Sequence, residues 1–197
     1  MSRLDKFEEI LKSYDGKTRL ETEETVLLFG KPLLKSDYDA LETILAPSHI
    51  SPKELKESAI EIENKRITIL DISNLSLALS TDLAKEIGQL NGLYTLCLTE
   101  NRIAELPESI GLLENLTRLY INKNRLISLP DSMENLKKLK HIDIDHNQFI
   151  EMPAVLLEMP ELKVIHTEIN PMDYENDPIL KQLEAKGIIV LGTWEFK

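Results

Sequence analysis

Residues 93–115 read LYTLCLTENRIAELPESIGLLEN, and the same plan returns twice without a gap. LTRLYINKNRLISLPDSMENLKK follows at 116–138, and LKHIDIDHNQFIEMPAVLLEMPE at 139–161. Three residue types share one period of 23: Leu93, Leu116, Leu139 and Leu162; Asn101, Asn124, Asn147 and Asn170; Pro107, Pro130 and Pro153. A fixed spacing held by three chemically unrelated positions marks a stack of structural repeats. Within each unit the first residues alternate. Leu96 and Leu98 point to one side and Cys97 to the other, as in a strand with one buried face. A single such strand cannot cover its own apolar face. Stacked units pair their strands into a parallel sheet and close a continuous aliphatic core between sheet and return segments.

The pattern L-x-x-L-x-L-x-x-N-x-[ILF], with isoleucine allowed at leucine positions, resembles the leucine-rich repeat family, whose units span 20–29 residues. Leu106-Pro107 followed by Ile110-Gly111 is similar to the 23-residue class found in many bacterial proteins and in scaffolds of Ras-type GTPases. The resemblance runs from about Ile67 to Pro171. It implies an α/β solenoid with a parallel β-sheet on the concave face and a function in protein–protein interaction. Each asparagine falls where the chain leaves its strand. There a side-chain amide can both donate to and accept from backbone groups of adjacent turns, sparing buried polar groups a large desolvation cost. These asparagines are therefore expected to be structural rather than ligand-binding, and the prolines to stiffen the return segments.

A degenerate first repeat is visible in ITILDISNLSL, with Ile67, Leu70, Ile72 and Leu77 in core positions. Leu75 replaces the asparagine, and three extra residues precede Leu93. A partial last repeat places Leu162, Ile165, Thr167 and Asn170 before Pro171. Five strands are expected, with residues 67–171 as the repeats. Solenoids need covered ends. Residues 1–66 are expected to supply three or four helices as an N-terminal cap, with residues 1–45 as a separate small interaction domain in the alternative. Leu4, Phe7, Ile10 and Leu11 have helical spacing. Ala40, Leu41, Ile44 and Leu45 give a second helix, and Ser51-Pro52-Lys53-Glu54 is a capping-box helix start. Gly30-Lys31-Pro32 and Ala46-Pro47 mark joints between these pieces. Residues 172–197 predict a short C-terminal cap: a helix from Pro178 to Lys186 stopped by Gly187, then a buried strand Ile188–Leu191. Trp194 or Phe196 is expected to close the last layer.

Composition limits function. The 197 residues carry 34 acidic and 23 basic side chains, a net charge of −11, and the excess holds on both sides of Arg66. Nucleic-acid binding depends on Lys and Arg neutralising phosphates, so neither a nucleic acid nor an anionic membrane is the expected partner. The first ten residues lack the apolar core of a signal peptide, and no apolar run reaches the ~20 residues of a membrane span. The one cysteine, Cys97, cannot form an intrachain disulfide, which points to a reducing compartment and a cytoplasmic location.

Little in the sequence suggests catalysis, and no enzyme activity or cofactor is expected. Gly16-Lys17-Thr18 has the end of a phosphate-binding loop, but Leu11 stands where its first glycine is required. His141, Asp143, Asp145 and His146, with His166 one repeat on, form the nearest approach to a reactive cluster. Asp143 and His166 occupy equivalent outward positions, about 4.8 Å apart across paired strands. Two readings follow: a zinc site at His141, Asp143 and His166, or a polar surface in which Asp–His pairing raises a histidine pKa. Cys97 faces outward, but His166 is three strands away, about 14 Å, too far to activate its thiol.

Outward positions form three columns across the sheet. Asp71, Cys97, Tyr120, Asp143 and His166 make the first. Ile69, Thr95, Arg118, His141 and Val164 lie two residues earlier, and Ser73, Thr99, Asn122, Asp145 and Glu168 two later. Tyr94, Arg118 and Tyr120 are not demanded by the core, and Tyr and Arg recur as binding hot spots. The expected partner is another protein, with the chain a monomer or weak homodimer. The expected surface comprises Asp71, Tyr94, Cys97, Arg118, Tyr120, Asn122, His141, Asp143, Asp145 and His166. The alternative function is metal-bridged self-association through His141, Asp143 and His166.

Overall fold

A computed structural model describes residues 24–77 and 86–192. Its centre is a seven-stranded sheet in the order β3-β4-β5-β6-β7-β8-β9. Five strands are the expected repeat strands: β4 (Arg66–Asp71), β5 (Thr95–Cys97), β6 (Arg118–Tyr120), β7 (His141–Asp143) and β8 (Val164–His166), each parallel to the next. The period of two sorts their side chains. Leu96, Leu119, Ile142 and Ile165 are fully buried, while Cys97, Tyr120, Asp143 and His166 on the opposite face stay partly open.

The return segments are single 3-10 turns, Glu108–Leu112, Asp131–Asn135 and Ala154–Glu158, each entered directly from Pro107, Pro130 or Pro153. Proline fixes φ near −65°. Here φ is −75°, −68° and −61°, and each proline carbonyl accepts the N–H three residues on, closing the turn. At Gly111 a Cβ would lie 2.3 Å from the Ser132 carbonyl oxygen. That contact explains the glycine: the Glu108–Leu112 and Asp131–Asn135 turns approach too closely there for any side chain.

The asparagine ladder binds unit to unit. Asn124 Nδ2 donates to the Leu98 and Ile121 carbonyls at 2.9 and 3.0 Å, and its Oδ1 accepts from Ile103 N–H at 3.1 Å. Asn147 and Asn170 repeat this scheme one and two units on. Asn101 meets the degenerate first repeat by accepting from both Leu75 and Leu77 N–H. Every one of these amides is engaged with backbone, so the ladder is structural.

The N-terminal cap departs from the helical expectation. Its described part holds a hairpin, β1 (Thr25–Leu28) and β2 (Lys31–Leu34), then helix α1 (Lys35–Leu45) and strand β3 (Ile60–Glu63). Gly30 is the hairpin turn, at φ +75° after Phe29 at +51°. Only α1 agrees with the helices expected here, and it buries Ala40, Leu41, Ile44 and Leu45. The Ser51–Glu54 capping box forms, but it starts a single 3-10 turn, Pro52–Glu54, rather than a helix. Ile60-Glu61-Ile62-Glu63 alternates with period two, which suits a strand, and β3 joins β4 antiparallel with Ile60 and Ile62 buried. The helix expected at Leu4–Leu11 and the Gly16-Lys17-Thr18 segment lie outside the described residues, as do Trp194 and Phe196.

Asp37 fastens α1 to the first repeat. Its fully buried carboxylate accepts Ile67 N–H at 3.0 Å and lies 3.0 Å from the Arg66 guanidinium. Burial pushes its carboxyl above the ordinary value, against the pull of that N–H and of Arg66. At the far end α2 (Pro178–Ala185) and β9 (Ile189–Leu191) match the expected helix and strand, but β9 buries only Val190 and leaves Ile189 57% exposed, so the strand is not buried throughout as expected. Gly187 follows the helix at φ +80°, and β9 pairs parallel to β8. Asp177 caps α2 through Ile179 and Leu180 N–H, and its other oxygen accepts Met152 N–H at 2.7 Å. One contiguous core runs from Leu28 to Val190.

Candidate functional site

Strand pairing assembles the outward columns in register. Asp71 opposes Cys97, Cys97 opposes Tyr120, Tyr120 opposes Asp143 and Asp143 opposes His166. Ile69, Thr95, Arg118, His141 and Val164 align in the same way. Tyr94 is 47% exposed but sits at the entrance of β5, ahead of both columns. Asn122 and Asp145 follow the strands on the exit side, where Thr99 Oγ1 donates to Asn122 Oδ1 at 2.6 Å.

The middle of this face is a shallow open depression of about 390 Å³. Its floor and rim are Asp71, Ser73, Cys97, Thr99, Glu100, Tyr120, Asn122 and Asp143. The chain leaves each strand through a left-handed residue, Glu100, Lys123, His146 and Ile169, with φ between +51° and +55°. Glu100 and Lys123 form an ion pair along this exit edge.

The rings form a diagonal ladder. Tyr120 and His141 lie 5.3 Å apart and tilted, and His141 stacks on His166 at 4.9 Å with 20° between planes. This corrects the expectation of an Asp143–His166 pair that raises a histidine pKa. The His141 pKa is lowered instead, by burial first and then by the neighbouring His166 and Arg118, against the opposing pull of Asp143. Burial and the nearby Asp143 push the Asp145 carboxyl up. Asp145 Oδ1 accepts Glu168 N–H at 2.5 Å, so part of its acceptor capacity serves the backbone.

Stacking also bears on the zinc alternative. Imidazole lone pairs lie in the ring plane, so two nearly parallel rings direct their nitrogens along similar lines rather than to one point. Among the described residues, no group of three or more His, Cys, Asp or Glu side chains is placed to hold a metal ion. The Cys97 thiol is pushed up to about 11, by burial first and then by Asp71, so it stays protonated near neutrality and is a poor nucleophile. What the geometry offers is a firm polar surface with a central aromatic.

The sequence profile of the leucine-rich repeat region family matches residues 68–185, more than half of the chain. The chain belongs to the leucine-rich repeat proteins. No curated protein sequence matches it. Among solved structures, a leucine-rich-repeat protein of Leptospira interrogans is 28% identical, covers 64% of this chain and 37% of its own, and has a TM-score of 0.48. The ectodomain of the receptor kinase SOBIR1 from Arabidopsis thaliana is 22% identical, covers 72% and 83%, and scores 0.58. TLR13, solved in complex with ssRNA13, is 24% identical over 62% of this chain and 17% of its own, at 0.53. The last two share the fold with this chain. Proteins of this fold serve typically as interaction modules.

Proposed function

We propose that this chain is a non-enzymatic protein-interaction module or scaffold that captures a protein partner on the sheet face of β4 to β8. The Tyr120–His141–His166 ring ladder carries this reading. It places an amphipathic aromatic and two imidazoles side by side on a rigid sheet, where ordering them again on binding costs little conformational entropy. The fold makes no demand for rings there, since the inward positions of the same strands already fill the core. Net acidity supports a protein rather than a nucleic acid or an anionic membrane as partner. Among the described residues, no helix is long and apolar enough to cross a membrane. The unpaired Cys97 suits a reducing, cytoplasmic setting.

Affinity capture from native lysate with the Arg118→Ala/Tyr120→Ala double variant tests this. The wild-type chain is expected to retain a partner that the variant loses, with both chains showing the same circular dichroism. Equal capture by the two overturns the sheet-face reading. Light scattering checks the expected monomer or weak homodimer.

A further inference from the structure

The depression on the sheet face has a charge pattern that constrains its occupant. Asp71 and Asp143 flank the depression along the first column, three strand steps apart, with Cys97 and Tyr120 between them and His166 beyond Asp143. Each carboxylate spends one oxygen on a local turn: Asp71 Oδ1 accepts Ser73 N–H at 3.0 Å and Asp143 Oδ1 accepts Asp145 N–H at 3.1 Å. Among the described residues, neither has a cationic side chain at ion-pair distance. Lys123, the cation beside the depression, is paired with Glu100. Arg118 lies in the next column toward the strand entrance, so the positive charge of this face is displaced from the column that carries the acids. Beyond Asp143, toward the exit, Asp145 and Glu168 extend the negative side.

Three strand spacings of about 4.8 Å put the two carboxylates roughly 14 Å apart. An extended chain advances about 3.3 Å per residue and returns side chains to one face at every second position, so residues i and i+4 lie about 13 Å apart on the same side. A helix fits less closely: its same-face residues at i+7, i+8 and i+11 fall near 10.5, 12 and 16.5 Å.

We propose that the sheet face takes an extended basic protein segment lying across β4 to β7, with Arg or Lys side chains at i and i+4 meeting Asp71 and Asp143. The residue at i+2 rests on the floor between Cys97 and Tyr120, where a protonated thiol and an aromatic ring suit an apolar side chain. This rests on the sheet-face reading above and gives that partner a chemistry and a register.

The probe is a fluorescein-labelled nine-residue peptide, Ser-Thr-Arg-Thr-Leu-Thr-Arg-Thr-Ser, titrated against the full chain and followed by anisotropy. Saturable binding is expected. Asp71→Asn and Asp143→Asn, which keep the oxygen that accepts the turn N–H, should each weaken it about threefold, and together about ninefold. A peptide with its second Arg moved one position toward the first should bind about threefold more weakly. Circular dichroism of the Asn variants should match wild type. No saturable binding up to about 1 mM, an affinity near −4 kcal/mol, overturns the proposal. So does binding indifferent to both Asn substitutions. In either case the Arg118/Tyr120 capture result stands by itself, so loss of this partner chemistry is distinguishable from loss of the sheet-face reading.

Discussion

The repeat stack and the N-terminal cap solve the same problem, covering an aliphatic core, by opposite means. In the stack, one amide at one position is used four times. Asn101, Asn124, Asn147 and Asn170 each tie a turn to its neighbour, so cohesion is distributed along the solenoid. In the cap, beside the β3–β4 backbone ladder, the side-chain fastening is local: one buried carboxylate, Asp37, meets Ile67 N–H and Arg66 at the boundary with the first repeat. Distributed cohesion leaves a trace in sequence because it must recur. A single fastening leaves none, because any residue of suitable reach can provide it.

The sharpest way to break this contrast is to remove one rung. Asn124→Ala leaves the Ile103 N–H without its acceptor and removes one of the two amide donors from each of the Leu98 and Ile121 carbonyls, and is expected to cost about 3 kcal/mol of stability. Urea unfolding should show one cooperative loss shared by the repeats, because each repeat leans on its neighbours. Asp37→Ala is expected to cost about 2 kcal/mol, since it leaves the Ile67 N–H without its acceptor and Arg66 with only the Gln89 carbonyl. Here the loss should be regional. Limited proteolysis should cut within residues 24–65 while peptides from β5 to β8 stay protected.

A smaller, stabilising effect is expected at the other end of the stack. Ile169 is β-branched, 65% exposed, and held at φ +52°. That region is disfavoured for branched side chains and tolerated by asparagine. Ile169→Asn should therefore raise stability by about 1 kcal/mol, read as an increase in the urea midpoint at unchanged slope.

The pH response is smaller still, and its sign follows from His141. A folded pKa below the unfolded 6.5 means that the folded chain binds this proton less readily than the unfolded one. The contribution is therefore present above about pH 6.5 and is lost as pH falls through the folded value. Asp37 and Asp145 act in the opposite sense. Their raised pKa values favour the folded state below about 3.8, a contribution lost as pH rises through the folded values. The melting temperature should fall modestly between pH 7 and 5.5, and His141→Gln should flatten that decline.

These differences also set what could be read beforehand. Spacing located β5 to β8, their inward and outward residues and the role of the asparagines, since each is imposed afresh every 23 residues, and β4 followed from the same pattern with three extra residues. The C-terminal helix and strand were legible from Pro178, Gly187 and Ile188–Leu191. The hairpin and β3 were not anticipated. Ser51-Pro52-Lys53-Glu54 has the chemistry of a helix start, but the alternation at Ile60–Glu63 is the signal that opposes a continuing helix, and pairing with β4 rewards it. On the face itself, register fixed which residues are neighbours. It could not fix ring orientation, so the stacking of His166 on His141, rather than pairing with Asp143, emerged only from the three-dimensional packing.

The central claim, that the sheet rather than the return side carries the partner, is tested most directly by hydrogen–deuterium exchange of the chain with and without its captured partner. Added protection is expected at residues 95–99, 118–122 and 141–145, on β5 to β7 and their exits. Protection confined to the 3-10 turns at 108–112, 131–135 and 154–158, with the sheet unchanged, would contradict it.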